Sequence, residues 1–141
     1  MVVGVLAITL NGLAGIYGAW RWWRVHSSVW FWRLLRAAQA VVIVQVALGG
    51  VLVLLGHKPP GLHVLYGVLP LLVSLIAEQL RIGTAQMVLD QRGFENAQAV
   101  AKLPEDEQQV VALSIVQREI GLMALAALVN TVLLARAAGT A

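Results

Sequence analysis

Four long apolar runs constrain this chain more than any other feature of its sequence. They cover about residues 2–20, 34–56, 62–80 and 110–135. Because a helix of about 20 apolar residues crosses the hydrocarbon core of a bilayer, each run is long enough to span it. The runs lack the alternation of half-buried strands, which excludes a β-barrel. We therefore predict an all-α integral membrane protein, a single transmembrane domain whose four helices form an up-and-down bundle.

The composition agrees with a membrane protein and excludes several other classes. Of the 141 residues, 60% are hydrophobic and only 12% are charged, whereas soluble domains carry about 25% charged residues. The net charge of +3 resides in short segments between the apolar runs, so it indicates membrane orientation rather than nucleic-acid binding. The chain has no cysteine, which excludes disulfides and thiolate chemistry. The lipid bilayer is the first predicted partner.

Basic residues predict the orientation, because loops that remain in the cytoplasm retain Lys and Arg. Eight basic residues flank one side of the predicted spans: Arg21, Arg24, Arg33, Arg36, Arg81, Arg92, Lys102 and Arg118. The other side has only Lys58 and Arg136. An aromatic cluster (Trp20, Trp22, Trp23, Trp30, Phe31 and Trp32) marks the same inner edge, as expected for rings in the headgroup layer. We predict a multi-pass protein of the bacterial cytoplasmic (inner) membrane with both termini outside.

The two connections that flank the third predicted span differ in character. The outer turn, residues 56–61, is short and contains two prolines, so the helices beside it are predicted to be antiparallel neighbours. Residues 81–109 carry a partial apolar face among polar residues. Pro104 followed by three acidic residues is typical of a helix start. We predict that the third and fourth helices extend into the cytoplasm there as a helical hairpin.

Polar residues inside the spans are candidate functional residues, because they are costly in lipid. Asn11 lies on a row of small residues, Ala7, Gly15 and Ala19, which favours close helix packing over ligand binding. Gln45, with Gly49 and Gly56 on the same helix, has the same interpretation.

Glu78 and Arg118 are predicted to lie at similar depth near the inner interface. Glu78 is 16 residues from Leu62 and Arg118 is 18 residues from Arg136, or about 24 and 27 Å at 1.5 Å per residue. We expect Glu78 to form an ion pair with Arg118, beside Glu119, because pairing offsets burial cost. The alternative is a proton-relay carboxylate at Glu78.

His63 is the one histidine inside a predicted span, whereas His57 lies on the outer turn. Pro70, in the same helix, leaves the carbonyl of Tyr66 without its helical donor and favours a kink. Two interpretations stay open. His63 is either an axial heme ligand, since imidazole binds iron and a four-helix bundle can hold a porphyrin, or a structural residue hydrogen-bonded to a nearby carbonyl.

Two segments resemble heme A synthases. The sequence Gln45-Val46-Ala47-Leu48-Gly49-Gly50, followed by the turn and Leu62-His63-Val64-Leu65, is similar to a Q-x-x-L-G helix and the helix with a heme-ligating histidine that follows it. Residues 117–121, Q-R-E-I-G, resemble the H-R-x-x-G ligand motif with glutamine in place of histidine. The resemblance implies that His63 is a heme ligand and that Arg118 lies beside the second ligand position. Any heme is expected near Tyr66, with His57 as one candidate for the second ligand. A His-x-x-Tyr-Gly segment also resembles small four-helix bacterial membrane proteins.

Three functions follow from these observations. The first is a non-catalytic membrane subunit or assembly partner of a larger complex, for example a respiratory one, which works through helix packing with other membrane subunits or as a homodimer. The second is a b-type heme-binding or heme-handling protein that uses His63. The third is a small dimeric transporter. Few charges lie in the spans and no catalytic motif is recognised, which favours the first function.

Overall fold

Helices are the only regular structure in the part of the chain described by the computed structural model, residues 2–140. They are α1 (Val2–Trp23), α2 (Val29–Leu54), α3 (Gly61–Gln91), α4 (Ala97–Val100) and α5 (Glu105–Ala138). The four long helices are long and apolar enough to cross a membrane. The prediction of an all-α chain with four candidate spans is therefore confirmed.

Local sequence determines where the helices begin. The hydroxyl of Ser28 accepts a hydrogen bond from the backbone nitrogen of Phe31 at 3.4 Å, and this cap starts α2 at Val29 rather than near residue 34. α5 begins directly after Pro104, with three acidic residues in its first turn. Negative charge at a helix N-terminus is favourable, and the helix start predicted there is observed.

α3 and α5 exceed the thickness of a membrane. With 31 and 34 residues they are about 46 and 51 Å long, against about 30 Å for the hydrocarbon core. Their ends beyond residue 80 and before residue 110 pack together as a hairpin closed by α4. The buried residues Val88, Leu89 and Val111 form its core, with Phe94, Val100 and Ile115 packed around them.

α5 is the central helix, packed along both α1 and α3, whereas α2 contacts α1 and α3 less extensively. Successive long helices run antiparallel, as shown for α3 and α5 by hydrogen bonds that join Ser74 to Asn130 and Arg92 to Ser114. The main buried cluster comprises Ala14, Phe31, Leu35, Ala77, Ile120, Met123, Ala124, Ala126 and Ala127. Most of these side chains are small, so the backbones approach closely.

The small-residue face of α1 is buried against α5, with one change from the predicted row. Ala7, Asn11 and Gly15 are buried, but the face continues through Ala14 and Gly18 rather than Ala19. The 3.6-residue period explains the difference, because a face alternates steps of three and four residues. A Cβ on Gly18 would lie 2.4 Å from Cε2 of Phe31, so this position requires glycine.

Candidate functional site

A buried hydrogen-bonded chain joins α3 to α5 in the middle of the bundle. Pro70 has no N–H group to donate within the helix. The hydroxyl of Ser74 donates to the carbonyl of Pro70 at 2.8 Å and accepts from Nδ2 of Asn130 at 2.9 Å. Ser74 and Asn130 are 8% and 2% exposed, and Oδ1 of Asn130 is buried without a hydrogen-bond partner. The sequence analysis missed both residues, although each interrupts an apolar run.

Asn11 lies on the buried face of α1 and is 1% exposed. Its Nδ2 donates to the carbonyl of Ala7, one turn earlier in the same helix, at 2.9 Å. This bond engages one N–H of the amide within α1, and the side chain is buried on the face of α1 that packs against α5. Such residues can donate a hydrogen bond to a neighbouring membrane helix, but Nδ2 of Asn11 donates within its own helix.

Glu78 is the centre of a charged cluster between α2 and α3. Its carboxylate pairs with the guanidinium of Arg36 and accepts hydrogen bonds of 3.0 Å from Nε2 of Gln39 and from Nε of Arg81. Arg36 also donates to Gln39 at 2.7 Å. The guanidinium of Arg81 in turn lies 5.4 Å from the ring centre of Trp32. Both carboxylate oxygens are therefore engaged, which is the geometry of a structural ion pair.

The predicted ion pair between Glu78 and Arg118 is wrong. Arg118 donates instead to Oε1 of Gln91 at 2.5 Å. Because Ser74 bonds Asn130, Glu78 is level with about Ala126, and Arg118 lies about 12 Å further toward the hairpin. Among residues 2–140, Glu119 forms no ion pair either.

The depth count fails because residues counted equally far from Leu62 and Arg136 do not stay level along the two helices. That count places Ser74 opposite Ala124, whereas Ser74 bonds Asn130. The difference is six residues, or about 9 Å. Glu78 is instead contacted by Arg36 and Gln39 of α2, the role that was predicted for Arg118.

His63 is half-buried and contacts the end of α5. Its Nδ1 donates to the carbonyl of Ala137 at 2.9 Å, the type of hydrogen bond that the structural interpretation predicts. One turn further along α3, the ring of Tyr66 lies 6.0 Å from the guanidinium carbon of Arg136. These two contacts tie the outer end of α3 to the outer end of α5. They leave Nε2 of His63 as the nitrogen with a free lone pair.

The residues predicted to surround a heme do not all lie near His63. His57 is exposed on the outer turn, where its backbone nitrogen bonds the carbonyl of Leu52. Arg118, which the heme A synthase resemblance places beside the second ligand, lies near the hairpin rather than near His63. No group of three His, Cys, Asp or Glu residues within the described chain is arranged to hold a metal ion.

The outer half of α2 is the least packed part of the four long helices. The buried residues of α2 are Phe31, Leu35, Ala38 and Val42, and no residue of the helix after Val42 is buried. A Cβ added at Gly49 or Gly50 would meet no atom within 4 Å. Oε1 of Gln45 is shielded from solvent and accepts no hydrogen bond. The face that the sequence assigned to helix packing is therefore open in the single chain.

No family model, no curated protein and no solved structure matches this chain. The resemblance to heme A synthases therefore stays an expectation drawn from short motifs, and the function has to be argued from the chain's own geometry.

Proposed function

We propose that the four long helices span the bacterial cytoplasmic membrane, with both termini outside and the hairpin in the cytoplasm. The uneven distribution of basic residues supports this orientation, and so does the clustering of all five tryptophans within residues 20–32. Cysteine labelling on this cysteine-free chain is the test. Cysteines at Ser27 and Asn96 should react only after the membrane is opened, whereas one at Lys58 should react from outside. Labelling of Asn96→Cys from outside would contradict the orientation.

We further propose that the protein is a non-catalytic membrane subunit that packs against another membrane-spanning chain through the outer half of α2. The observation that carries the proposal is the open face of that helix around Gly49, beside the unpaired oxygen of Gln45. Lipid tails cannot satisfy an amide oxygen, and leaving it unsatisfied is costly. Glycines on a helix face allow a neighbouring helix to approach closely, and rotation of the Gln45 side chain toward that helix would let its oxygen accept a hydrogen bond.

The other polar groups in the spans support a subunit rather than an enzyme. Glu78 is engaged by Arg36 and Arg81, and His63 by the carbonyl of Ala137. Asn130 is joined to Ser74. These side chains hold helices of the same chain together, so they serve its internal packing. The carbonyl oxygen of Gln45, in contrast, makes no hydrogen bond among the described residues, and this side chain lies after Val42, in the part of α2 that has no buried residue.

A matched pair of glycine substitutions tests this function. Gly49 and Gly83 both have open space where a Cβ would lie, so isoleucine at either position should leave the chain folded. In membranes of the source organism solubilised with a mild detergent, the wild-type chain should migrate on a native gel within a larger complex. Gly49→Ile should release the monomer, whereas Gly83→Ile should not. A complex of unchanged size in both variants would contradict the proposal.

A further inference from the structure

The α1–α2 turn and the helix ends beside it carry a surface of arginine and tryptophan side chains. We define the inner basic patch as Trp20, Arg21, Arg24, Trp30 and Arg33. The guanidinium carbons of Arg21 and Arg24 lie 5.6 and 5.8 Å from the ring centre of the same indole, Trp20. That of Arg33 lies 5.4 Å from the ring centre of Trp30. These are cation–π distances, so the indole rings hold the positive charges in fixed positions.

Hydrogen bonds also hold the turn against the helices. Nη2 of Arg21 donates to the carbonyl of Ser27 at 2.6 Å. The hydroxyls of Tyr17 and Ser28 lie 2.9 Å apart, which joins the last turns of α1 to the first turn of α2. The patch is therefore built on a connection whose two ends are tied together, and binding a ligand there requires little ordering of the chain.

The positive charge of the patch is not neutralised within the chain. Among residues 2–140, the ion pairs are those of Glu78 with Arg36 and Arg81. Arg21, Arg24 and Arg33 thus have no carboxylate within 4 Å, and two of them share one indole. Like charges held close together repel each other, and a bound anion would relieve that repulsion. The charge of the patch therefore calls for an anionic partner.

The tryptophans identify the kind of anion. Trp23 and Trp30 are 79% and 70% exposed, at the end of two apolar helices where indoles occupy the headgroup layer of a bilayer. We propose that the inner basic patch binds the phosphodiester of an anionic phospholipid headgroup. The arginines donate to the phosphate oxygens, while the exposed indoles contact the glycerol and upper acyl region of the same lipid. This lipid site goes beyond the packing function proposed above.

Tryptophan fluorescence tests the proposal, because all five tryptophans of the chain lie in or beside the patch. The protein is reconstituted into vesicles of phosphatidylcholine that contain either brominated phosphatidylglycerol or, at the same mole fraction, brominated phosphatidylcholine. Bromine on the upper acyl chain quenches nearby indoles, so the ratio of the two quenching curves gives the relative affinity for the anionic lipid. The wild-type chain should be quenched more strongly by brominated phosphatidylglycerol.

Arg24→Gln should lower that relative affinity about fivefold, which corresponds to about 1 kcal/mol for one basic residue near an anionic surface. Arg24→Lys should retain most of it. Lys58→Gln is the matched control, because it removes the same charge on the outer turn and should leave the ratio unchanged. If circular dichroism shows Arg24→Gln to be misfolded, Arg33→Gln takes its place. Equal quenching of the wild type by the two lipids would overturn the proposal, as would an equal loss in the Lys58→Gln chain.

Discussion

Gly18 is the position where a single added methyl group should damage the bundle most clearly. A Cβ there would lie 2.4 Å from Cε2 of Phe31 and 2.8 Å from Cβ of Ala124. Carbon atoms in ordinary contact are about 3.5–4.0 Å apart, so Phe31 or the helices would have to shift by about 1 Å. Phe31 is fully buried, and its ring packs on Trp32 at 5.1 Å, so the ring has little room to move. Gly18→Ala should therefore destabilise the fold by about 1–3 kcal/mol, the usual cost of overpacking.

The matched control is Gly83→Ala, in α3. No atom lies within 4 Å of its Cβ position, so this change should be neutral or stabilise by up to about 1 kcal/mol through helix propensity. Unfolding by sodium dodecyl sulfate in mixed micelles, followed by far-ultraviolet circular dichroism, gives both free energies. Phe31→Leu replaces the ring that causes the clash with a smaller side chain. This change should therefore lower the free energy of unfolding less in the Gly18→Ala background than in the wild type. Equal stability of Gly18→Ala and Gly83→Ala would refute the close approach of α1 to α5.

Three further predictions concern polar contacts. In a double-mutant cycle, Ser74→Ala and Asn130→Ala should show a coupling free energy of about 0.6 kcal/mol and at most about 1.7 kcal/mol, the range of hydrogen bonds between membrane helices. If the two losses of stability simply add, the side chains are not hydrogen-bonded to each other. Glu78→Gln and Arg36→Gln should each destabilise by about 1 kcal/mol or less, because the pair is partly exposed, and the double variant should lose less than the sum in the same assay. His63→Ala should cost about 1 kcal/mol for its hydrogen bond, and protein expressed with ample heme should show no Soret band with or without this change; a band that depends on His63 would favour the heme alternative.

The long apolar helices could be predicted from the sequence, whereas the side-chain contacts between them could not. Long apolar runs indicate spans whatever surrounds them, and Pro104 with its acidic neighbours correctly indicated the start of α5. The partner of Glu78 depends on the axial register of α5 relative to α3, which the sequence of neither helix alone determines. Counting residues from helix ends therefore led to Arg118, whereas Arg36 on α2 is the observed partner.

The polar core and the open face show the same limit in different ways. Ser74, and Asn130 with its neighbour Thr131, interrupt apolar runs, a signal that was available in the sequence, but only the fold shows that Ser74 and Asn130 meet. The sequence favoured Ala19 over Gly18, because a row drawn in steps of four residues from Ala7 ends at Ala19. The buried face of α1 instead continues through Gly18. Gln45 and Gly49 were predicted to lie on a packing face, which stays a prediction because no helix among the described residues covers Gly49. That no helix of the same chain covers them could not be predicted, because apolar residues look alike whether they face lipid or protein.

Site-specific photocrosslinking in the membranes of the source organism shows directly whether another chain packs against the outer half of α2. A photoreactive amino acid is placed at Gly49 or, as a control, at Val132, which is 63% exposed on α5. Position 49 should give one discrete protein adduct, either a second copy of this chain or one other membrane protein, and position 132 should give only lipid adducts. The adduct at 49 should disappear when Gln45 is changed to leucine, since the amide then loses its partner. Lipid adducts alone at both positions would contradict the account.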